Sequence, residues 1–337
     1  MTHDLGALWF AACSLAVLSL FMALEAHEAL RAGRRARKRQ VEVAAKWEPV
    51  LLEAQVFMRV PENLHAIAPS EVPALVALWL QHLRQASLNA APCLKQMAQR
   101  AQLEPHLHRL LRRGALDQQV LAAEALGHLE AKDASPSLLK LLRGRVLPLS
   151  STAGVALVRV APTLFLREVL SSAIRKGWPI SAVAKTIELA PELSDGVLPA
   201  LLSENHAKRA GRVLEVWFRV SPAAALVFAR QTLSDMSAEG WLLCSSLRVL
   251  QNPHDVALVR AHLQHPRWAV RVQAVNAMGR LGLSSDIAQL AKAHADPNWW
   301  IRKRSADSLA AAPQLSADQK ARLLAPFQAL AALETRP

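Results

Sequence analysis

The side chains best suited to binding a charged ligand lie near the C-terminus, between residues 267 and 304. Arginine and lysine are interleaved there with tryptophan. A guanidinium pairs with phosphate or carboxylate while an indole stacks beside it, so this composition favours an anionic partner. The candidate partner-binding residues are Arg267, Trp268, Trp300, Lys303 and Arg304.

Part of this stretch is repeated along the chain. Residues 265–271 align with residues 296–302 at an offset of 31. Residues that recur at a fixed period usually pack between neighbouring units or link them. We therefore interpret Arg271, Asp296 and Arg302 as a structural ladder between repeats.

The tryptophans of the stretch divide by the same criterion. Trp268 aligns with Trp299, so both are expected to be packing residues between repeats. Trp300 aligns with Ala269 and has no aromatic counterpart. A large aromatic side chain outside the periodic pattern is the better candidate for an exposed contact with a partner.

Motifs for catalysis or metal binding do not accompany the basic stretch. The sequence has no glycine-rich phosphate loop, no GxSxG and no HExxH. His106 and His108 are two residues apart and would point to different faces of a helix, as exposed polar residues. Glu124 and His128 are four residues apart, which is typical of a surface pair. The sequence therefore predicts neither enzyme activity nor a cofactor or metal site.

The elements that position these residues are helices throughout residues 41–337. Apolar residues recur at intervals of three and four, as at Leu107, Leu110 and Leu111, in segments broken by Pro, Gly, Asp and Ser. Hydrophobic residues make up 52% of the 337 residues, and there are only 3 cysteines. This composition excludes a disordered chain and a disulfide-stapled secreted domain. It predicts an all-α fold.

Prolines show the period of the helical pattern. Pro162, Pro191, Pro222 and Pro253 are separated by 29, 31 and 31 residues, and each can begin a helix, where its missing N–H costs nothing. Stacked helix pairs of about thirty residues follow from this spacing. The pairs are expected near 102–131, 133–160, 162–190, 191–220, 222–251, 253–281 and 284–311, with a closing helix at 315–331.

The last two pairs resemble a known repeat family. In residues 266–279 and 296–309, a turn leads into a helix carrying arginine six residues after the turn residue, as Arg302 follows Asp296. This pattern resembles HEAT repeats, although His265 replaces the aspartate of the earlier turn. The resemblance implies a right-handed α-solenoid of stacked helical hairpins, whose second helices line the inner face. Residues 101–337 would form the array, and residues 46–100 its helical N-terminal part.

The N-terminus has the pattern of a membrane anchor. Residues 5–24 contain no charge, and twenty helical residues span about 30 Å, the thickness of a bilayer core. We expect a tail at 1–4, a transmembrane helix at 5–25 and a basic juxtamembrane helix or linker at 26–45. A cleaved signal peptide is the alternative, but its basic residues would precede the apolar run. The juxtamembrane basic residues are Arg31, Arg34, Arg35, Arg37, Lys38 and Arg39.

These basic residues also predict orientation. Because they follow the apolar run, the positive-inside rule places the N-terminus outside and the solenoid in the cytoplasm. Richness in Ala, Arg and Leu with no Tyr is typical of a GC-rich bacterial gene, so a bacterial inner membrane is expected. Attraction to anionic lipid is a second interpretation of the same cluster.

Three classes of function fit these features. The first is a membrane-anchored cytoplasmic scaffold or adaptor that binds a protein partner and regulates or assembles a neighbouring inner-membrane complex, such as a membrane enzyme or a secretion component. The second is a basic array binding nucleic acid or another anionic ligand, since the formal net charge is +13. The third is an enzyme on a lipid-linked or acidic substrate, for which the sequence offers no perturbed acid or base.

Overall fold

The computed structural model describes residues 37–62, 64–204, 209–281, 286–312 and 314–334, together with His27 and residues 33–34. This part of the chain is helical and contains no strand. Its helices do not include one long and apolar enough to cross a membrane. The predicted transmembrane segment 5–25 lies outside the described residues, as do Arg31 and Arg35.

The chain forms two compact units, Met1–Ala134 and Ser135–Pro337. In the first unit, helix α1 covers residues 37–56 and carries Arg37, Lys38 and Arg39 on its exposed surface. The helices that follow in this unit are α2 Val72–Gln85, α3 Ala90–Arg100, α4 Leu103–Arg113 and α5 Leu116–His128.

The core of the first unit is built around two tryptophans. Trp47 of α1 and Trp79 of α2 are completely buried. The Trp79 indole N–H donates to the carbonyl of Leu94 at 2.9 Å, which satisfies the polar atom that its burial removes from water. Lys46 joins α1 to Glu71 at 2.9 Å, and this hydrogen bond lowers the pKa of the Glu71 carboxyl.

The second unit is a succession of antiparallel helix pairs. Its helices are α6 Ser135–Arg143, α7 Leu147–Val160, α8 Pro162–Lys176, α9 Ile180–Glu188, α10 Pro191–Glu204, α11 Ala210–Val220, α12 Pro222–Ser234, α13 Gly240–Val249, α14 Val256–Ala261, α15 Trp268–Leu281, α16 Ile287–Lys292, α17 Trp299–Ala311 and α18 Ala317–Glu334. The second helices of the pairs, α7 to α17 by odd numbers, pack each on the next. The first helices from α6 to α14 do the same on the other side.

Proline marks the beginning of the first helices, as its period indicates. Pro162, Pro191 and Pro222 are the first residues of α8, α10 and α12. Pro253 begins a short 3-10 turn that leads directly into α14. At these positions the fixed φ of proline suits a helix, and the amide that it lacks would have had no partner within the helix.

Glycines allow close packing at two points of the array. Gly154 lies in the middle of α7, where an added Cβ would be 2.2 Å from Cη2 of Trp178. The Trp178 ring is buried and fills the space above this glycine. At the end of α8, Gly177 takes a positive φ of 67°, which lets the chain turn into the next helix at no steric cost.

The last repeats share one continuous apolar core. Side chains from α12 to α17 contribute to it, and each helix alone would leave that apolar face in water. Its fully buried members include Leu243, Leu247, Val259, Val270 and Leu309. This core sets the positions of α13, α15 and α17, whose N-terminal turns carry the candidate site.

Candidate interaction surface

The exposed tryptophans lie at the N-terminal turns of α15 and α17. Both helices are second helices of their pairs and pack side by side in the same direction, so their first turns meet at one edge of the array. Trp268 is 51% exposed, Trp299 41% and Trp300 51%. We call the surface formed by Arg267, Trp268, Trp299, Trp300 and Lys303 the tryptophan surface.

One expectation from the repeat period is wrong here. Trp268 and Trp299 were expected to pack between repeats, but about half of each side chain is exposed to solvent. Periodic recurrence places the two residues at equivalent positions, which are the first residues of α15 and α17. Trp300 is exposed as well. The structure therefore brings three tryptophans to the surface, and two of them, Trp268 and Trp300, are among the candidate partner-binding residues of the sequence.

The two tryptophans of α17 are held by their own turn. The Asn298 side chain accepts the backbone N–H of Trp300 at 3.0 Å and caps the helix. The rings of Trp299 and Trp300 contact edge to face, with centroids 4.9 Å apart. The Lys303 ammonium lies 5.9 Å from the Trp299 ring centroid, within the range of a cation–π contact. The result is a preformed aromatic pair with a positive charge beside it.

Arg267 extends the surface towards α13. Its Nη1 lies 3.5 Å from Oε2 of Glu239, and 62% of its side chain is exposed. The guanidinium rests on Gly240, where an added Cβ would be 2.6 Å from Nη1. The arginine is thus positioned by a glycine and a glutamate of the preceding repeat while most of its surface stays open to solvent.

Lys303 and Arg304 lie one turn further along α17. Both are about half exposed, and each has a nitrogen 3.8 Å from a carboxylate oxygen of Asp307. Ion pairs of this length on an exposed surface contribute less than about 1 kcal/mol. Both side chains are therefore available to a partner at little cost.

The predicted ladder is present at Arg271. Its Nε and Nη2 donate to the two carboxylate oxygens of Asp296 at 2.8 and 3.1 Å, so the pair is bidentate across two repeats. Both side chains are nearly buried, at 13% and 12% exposed. Its Nη1 also donates to the carbonyls of His265 and Pro266, which fastens the turn before α15.

Arg302 occupies the equivalent position one repeat later and stabilises the turn before α17. Its Nη1 donates to the carbonyls of Asp296 and Pro297, both at 3.0 Å. These bonds fasten the turn of its own repeat, as those of Arg271 do for the preceding one. These bonds do not test the interpretation of Arg302 as a rung between repeats, which stays a prediction.

A second ladder, on the first helices, was missed by sequence reasoning. Arg230 of α12 donates to both oxygens of Asp255 at 2.8 and 3.2 Å. Arg260 of α14 donates from Nε to Asp286 at 2.6 Å. Hydrogen bonding to these buried aspartates raises the pKa of both arginines. The signal available was the recurrence of Arg at 230 and 260 and of Asp at 255 and 286.

Histidine and glutamate residues considered as metal ligands or catalytic groups contact other side chains. In the described residues, no group of three or more His, Cys, Asp or Glu side chains could hold a metal ion. His108 lies 3.6 Å from Glu104. Glu124 receives Nη2 of Arg84 at 2.8 Å, and His128 contacts Trp79 edge to face. Glu124 thus joins α5 to α2 by an ion pair.

Comparison with known proteins gives one family. A model of HEAT repeats matches residues 241–310, from the first turn of α13 to the end of α17. No curated protein matches the chain. The matched stretch contains the tryptophan surface and the Arg271–Asp296 rung. Residues 241–310 are therefore similar to HEAT repeats.

Proposed function

We propose that this protein is a membrane-anchored scaffold that holds a protein partner on the tryptophan surface of its repeat array. The observation that carries the proposal is the exposure of Trp268, Trp299 and Trp300 at one edge of two adjacent helices. Tryptophan is among the residues most enriched where binding energy concentrates in protein interfaces. A cluster of them in water is unfavourable for an isolated protein, so a partner that covers them explains their presence.

The charges around the tryptophans specify the kind of partner. Arg267, Lys303 and Arg304 lie beside the rings and have long or weak contacts with acidic residues. A partner segment with an apolar or aromatic anchor and acidic neighbours would fill the ring surface and pair with these cations. We therefore expect an acidic protein surface rather than a small molecule.

The repeat architecture supports binding rather than catalysis. Stacked helix pairs provide an extended, rigid surface, and function on such a scaffold is read from its exposed side chains. Here those side chains are aromatic and cationic, a combination suited to recognition. We propose that the protein is not an enzyme and acts through its contacts, by assembling or regulating a neighbouring complex.

The site of action follows from the N-terminal sequence. The uncharged run at 5–24 and the basic residues after it support a single-pass anchor with the array in the cytoplasm of a bacterium. Deleting residues 1–30 should move the protein from the membrane fraction to the soluble fraction with its helical circular dichroism intact. A deleted protein that still sediments with membranes would contradict this anchor.

Nucleic acid is the second candidate, favoured by the contact between Lys303 and Trp299. Bases stack on exposed aromatic rings, and a cation beside them neutralises phosphate. Such binding would weaken steeply with salt and would be lost when Lys303 and Arg304 are changed to glutamate. A protein partner whose contact covers the tryptophans would remain bound at the same salt concentration.

The direct experiment is purification of the tagged full-length chain from native membranes in mild detergent, with washes at low and high salt. A stoichiometric protein that remains after the high-salt wash supports the scaffold. Recovery of salt-labile nucleic acid alone would overturn it in favour of the second candidate.

A further inference from the structure

The exposed face of α1, in the first unit, carries an apolar stripe. Val41 is 65% exposed, Leu52 44% and Val56 61%, although all three lie on a regular helix. Ala45 and Pro49 are exposed between them. With one turn per 3.6 residues, these five residues occupy a single sector roughly 80° wide. We call them the α1 stripe.

The stripe is distinct from the face that α1 buries. The opposite face packs into the first unit through Val43, Trp47, Leu51 and Ala54, which are almost completely buried. The α1 stripe is therefore a second apolar face on a helix that has already satisfied its core. At its end Phe57 is 71% exposed and continues the apolar surface beyond the last turn.

The borders of the stripe are acidic on both sides. Glu48 lies along one edge, and Glu42 and Glu53 lie along the other, all three exposed. Glu42 has only a long contact of 3.9 Å with Lys38 in the same helix. Among the residues that the structure describes, neither Glu48 nor Glu53 forms an ion pair within 4.0 Å. Between residues 41 and 56 the borders of the stripe carry glutamate, while Lys38 lies one turn before Val41 and Arg59 lies beyond the last turn. The charge along the stripe itself therefore favours a positively charged partner.

We propose that the α1 stripe is a docking site for an amphipathic helix whose apolar seam is bordered by lysine or arginine. An apolar seam bordered by charge is the geometry of helix-to-helix recognition, in which flanking charges choose the partner. The three glutamates would pair with the cations on either side of the incoming helix while Leu52 and Val56 pack into its seam. The partner is thus a basic helix, in contrast to the acidic partner of the tryptophan surface.

Other occupants fit the charge pattern less well. In a parallel pairing of α1 helices from two copies, Glu48 and Glu53 of one copy would face the glutamates of the other. Like charges at these positions repel. An anionic lipid surface would also face the glutamate borders, which oppose it electrostatically. Both remain outcomes that the experiment distinguishes.

The source of such a helix follows from the proposed membrane anchor. The stripe begins sixteen residues after the predicted span ends at residue 25. Cytoplasmic segments beside the spans of other membrane proteins carry excess lysine and arginine. A juxtamembrane helix of a neighbouring membrane protein therefore has both the charge and the location required. The docking chemistry itself does not depend on that source.

The test uses the full-length chain in nanodiscs of zwitterionic lipid and two fluorescent amphipathic peptides. The peptides share a leucine seam and differ only in carrying lysine or glutamate at the border positions. We expect the lysine peptide to bind about tenfold more tightly or better by anisotropy, with empty nanodiscs as the blank. Equal binding of the two peptides to a chain that carries Trp268→Ala and Trp300→Ala, which removes the tryptophan surface as a second site for the glutamate peptide, would overturn the proposal.

Matched variants locate the binding on the stripe. Leu52→Glu should weaken binding of the lysine peptide by about tenfold or more, because it places a carboxylate in the apolar seam. Leu88→Glu is the control, since Leu88 is an isolated leucine that is 94% exposed. The double change of Glu48 and Glu53 to lysine should reverse the preference to the glutamate peptide. An unaltered affinity in Leu52→Glu would overturn the assignment.

The remaining outcomes separate this site from the proposed function and from other occupants. Trp300→Ala should leave peptide binding unchanged, so loss of a partner from the tryptophan surface does not affect this result. Self-association of the wild-type chain that disappears in Leu52→Glu would replace the peptide with a second copy. Binding to anionic vesicles that disappears in the same variant would replace it with lipid.

Discussion

Asp296 accepts hydrogen bonds from two arginines, and its bidentate ion pair with Arg271 joins two repeats. Its carboxylate accepts Nε and Nη2 of Arg271 at 2.8 and 3.1 Å, while its backbone carbonyl accepts Nη1 of Arg302. One residue therefore connects α15 to the turn that begins α17. That turn carries Trp299 and Trp300, so the rung supports the surface assigned to binding.

Asp296→Asn should destabilise the array. The variant keeps the shape of the side chain but removes the charge from a bidentate pair that is almost buried, leaving the Arg271 guanidinium poorly compensated. We expect a loss of about 2 kcal/mol or more in the free energy of unfolding. Chemical denaturation followed by circular dichroism measures it. Asp307→Asn, on the exposed face of the same repeat, should change stability by less than about 0.5 kcal/mol; equal effects of the two variants would exclude the rung.

Gly154→Ala should be destabilising although alanine is the better helix former. The added methyl would lie 2.2 Å from Cη2 of the buried Trp178 ring, so α7 and the turn that carries Trp178 would have to separate. A cost of about 1–3 kcal/mol is expected. Gly196 in α10 is the control, because nothing lies within 4 Å of its added Cβ. Gly196→Ala should raise stability by about 0.5–1 kcal/mol, and thermal unfolding of both variants checks the opposite signs.

Trp217 and Trp300 should separate packing from binding. Trp217 is completely buried and donates its indole N–H to Asp195 at 2.6 Å. Trp217→Ala should therefore cost about 3–5 kcal/mol of stability. Trp300→Ala should cost less than about 1 kcal/mol, because half of the ring already faces water. Denaturation midpoints test the contrast, and a large loss in Trp300→Ala would make this residue part of the core.

Stability should fall as pH decreases below the ordinary histidine range. Burial lowers the pKa of His265 and of His294 below the ordinary histidine value of about 6.5, so the unfolded chain binds protons first as pH falls. The stabilisation is complete above about pH 6.5 and is lost as pH falls through the lower, folded pKa values. His265 Nδ1 also accepts the backbone N–H of Arg267 at 3.1 Å, a bond that a protonated ring cannot accept. Denaturation at about pH 7 and about pH 5 should show the loss, and His294→Gln should reduce it.

Periodicity predicted the elements well because helix starts are governed locally. Proline at the first position of α8, α10 and α12 acts through its own φ and its missing amide, which no distant residue can alter. Arg271 was predictable from its recurrence as Arg302 at the repeat period, and Asp296 from its place in the turn six residues before Arg302. The match of HEAT repeats to residues 241–310 covers the same stretch.

Exposure was harder to predict than position. The recurrence of Trp268 and Trp299 fixes their place in the repeat, but their depth depends on how far the preceding turn projects, and that is set by tertiary packing. The second ladder at Arg230 and Asp255 joins residues of neighbouring repeats without a local motif. The recurrence of these Arg and Asp residues is a sequence signal, but it identifies a pair only when the stacking of the first helices is known.

Binding of a protein partner by the tryptophan surface is tested by comparing partner recovery between two variants of the full-length chain purified from native membranes. One is the double variant Trp268→Ala, Trp300→Ala, and the other is Leu164→Ala, which removes an exposed apolar side chain of α8 that is 75% exposed. We expect Leu164→Ala to retain the stoichiometric partner at high salt. The tryptophan variant should lose the partner, although its unfolding temperature stays within a few degrees of the wild-type value. Full retention of the partner by the folded tryptophan variant would contradict the assignment of this surface.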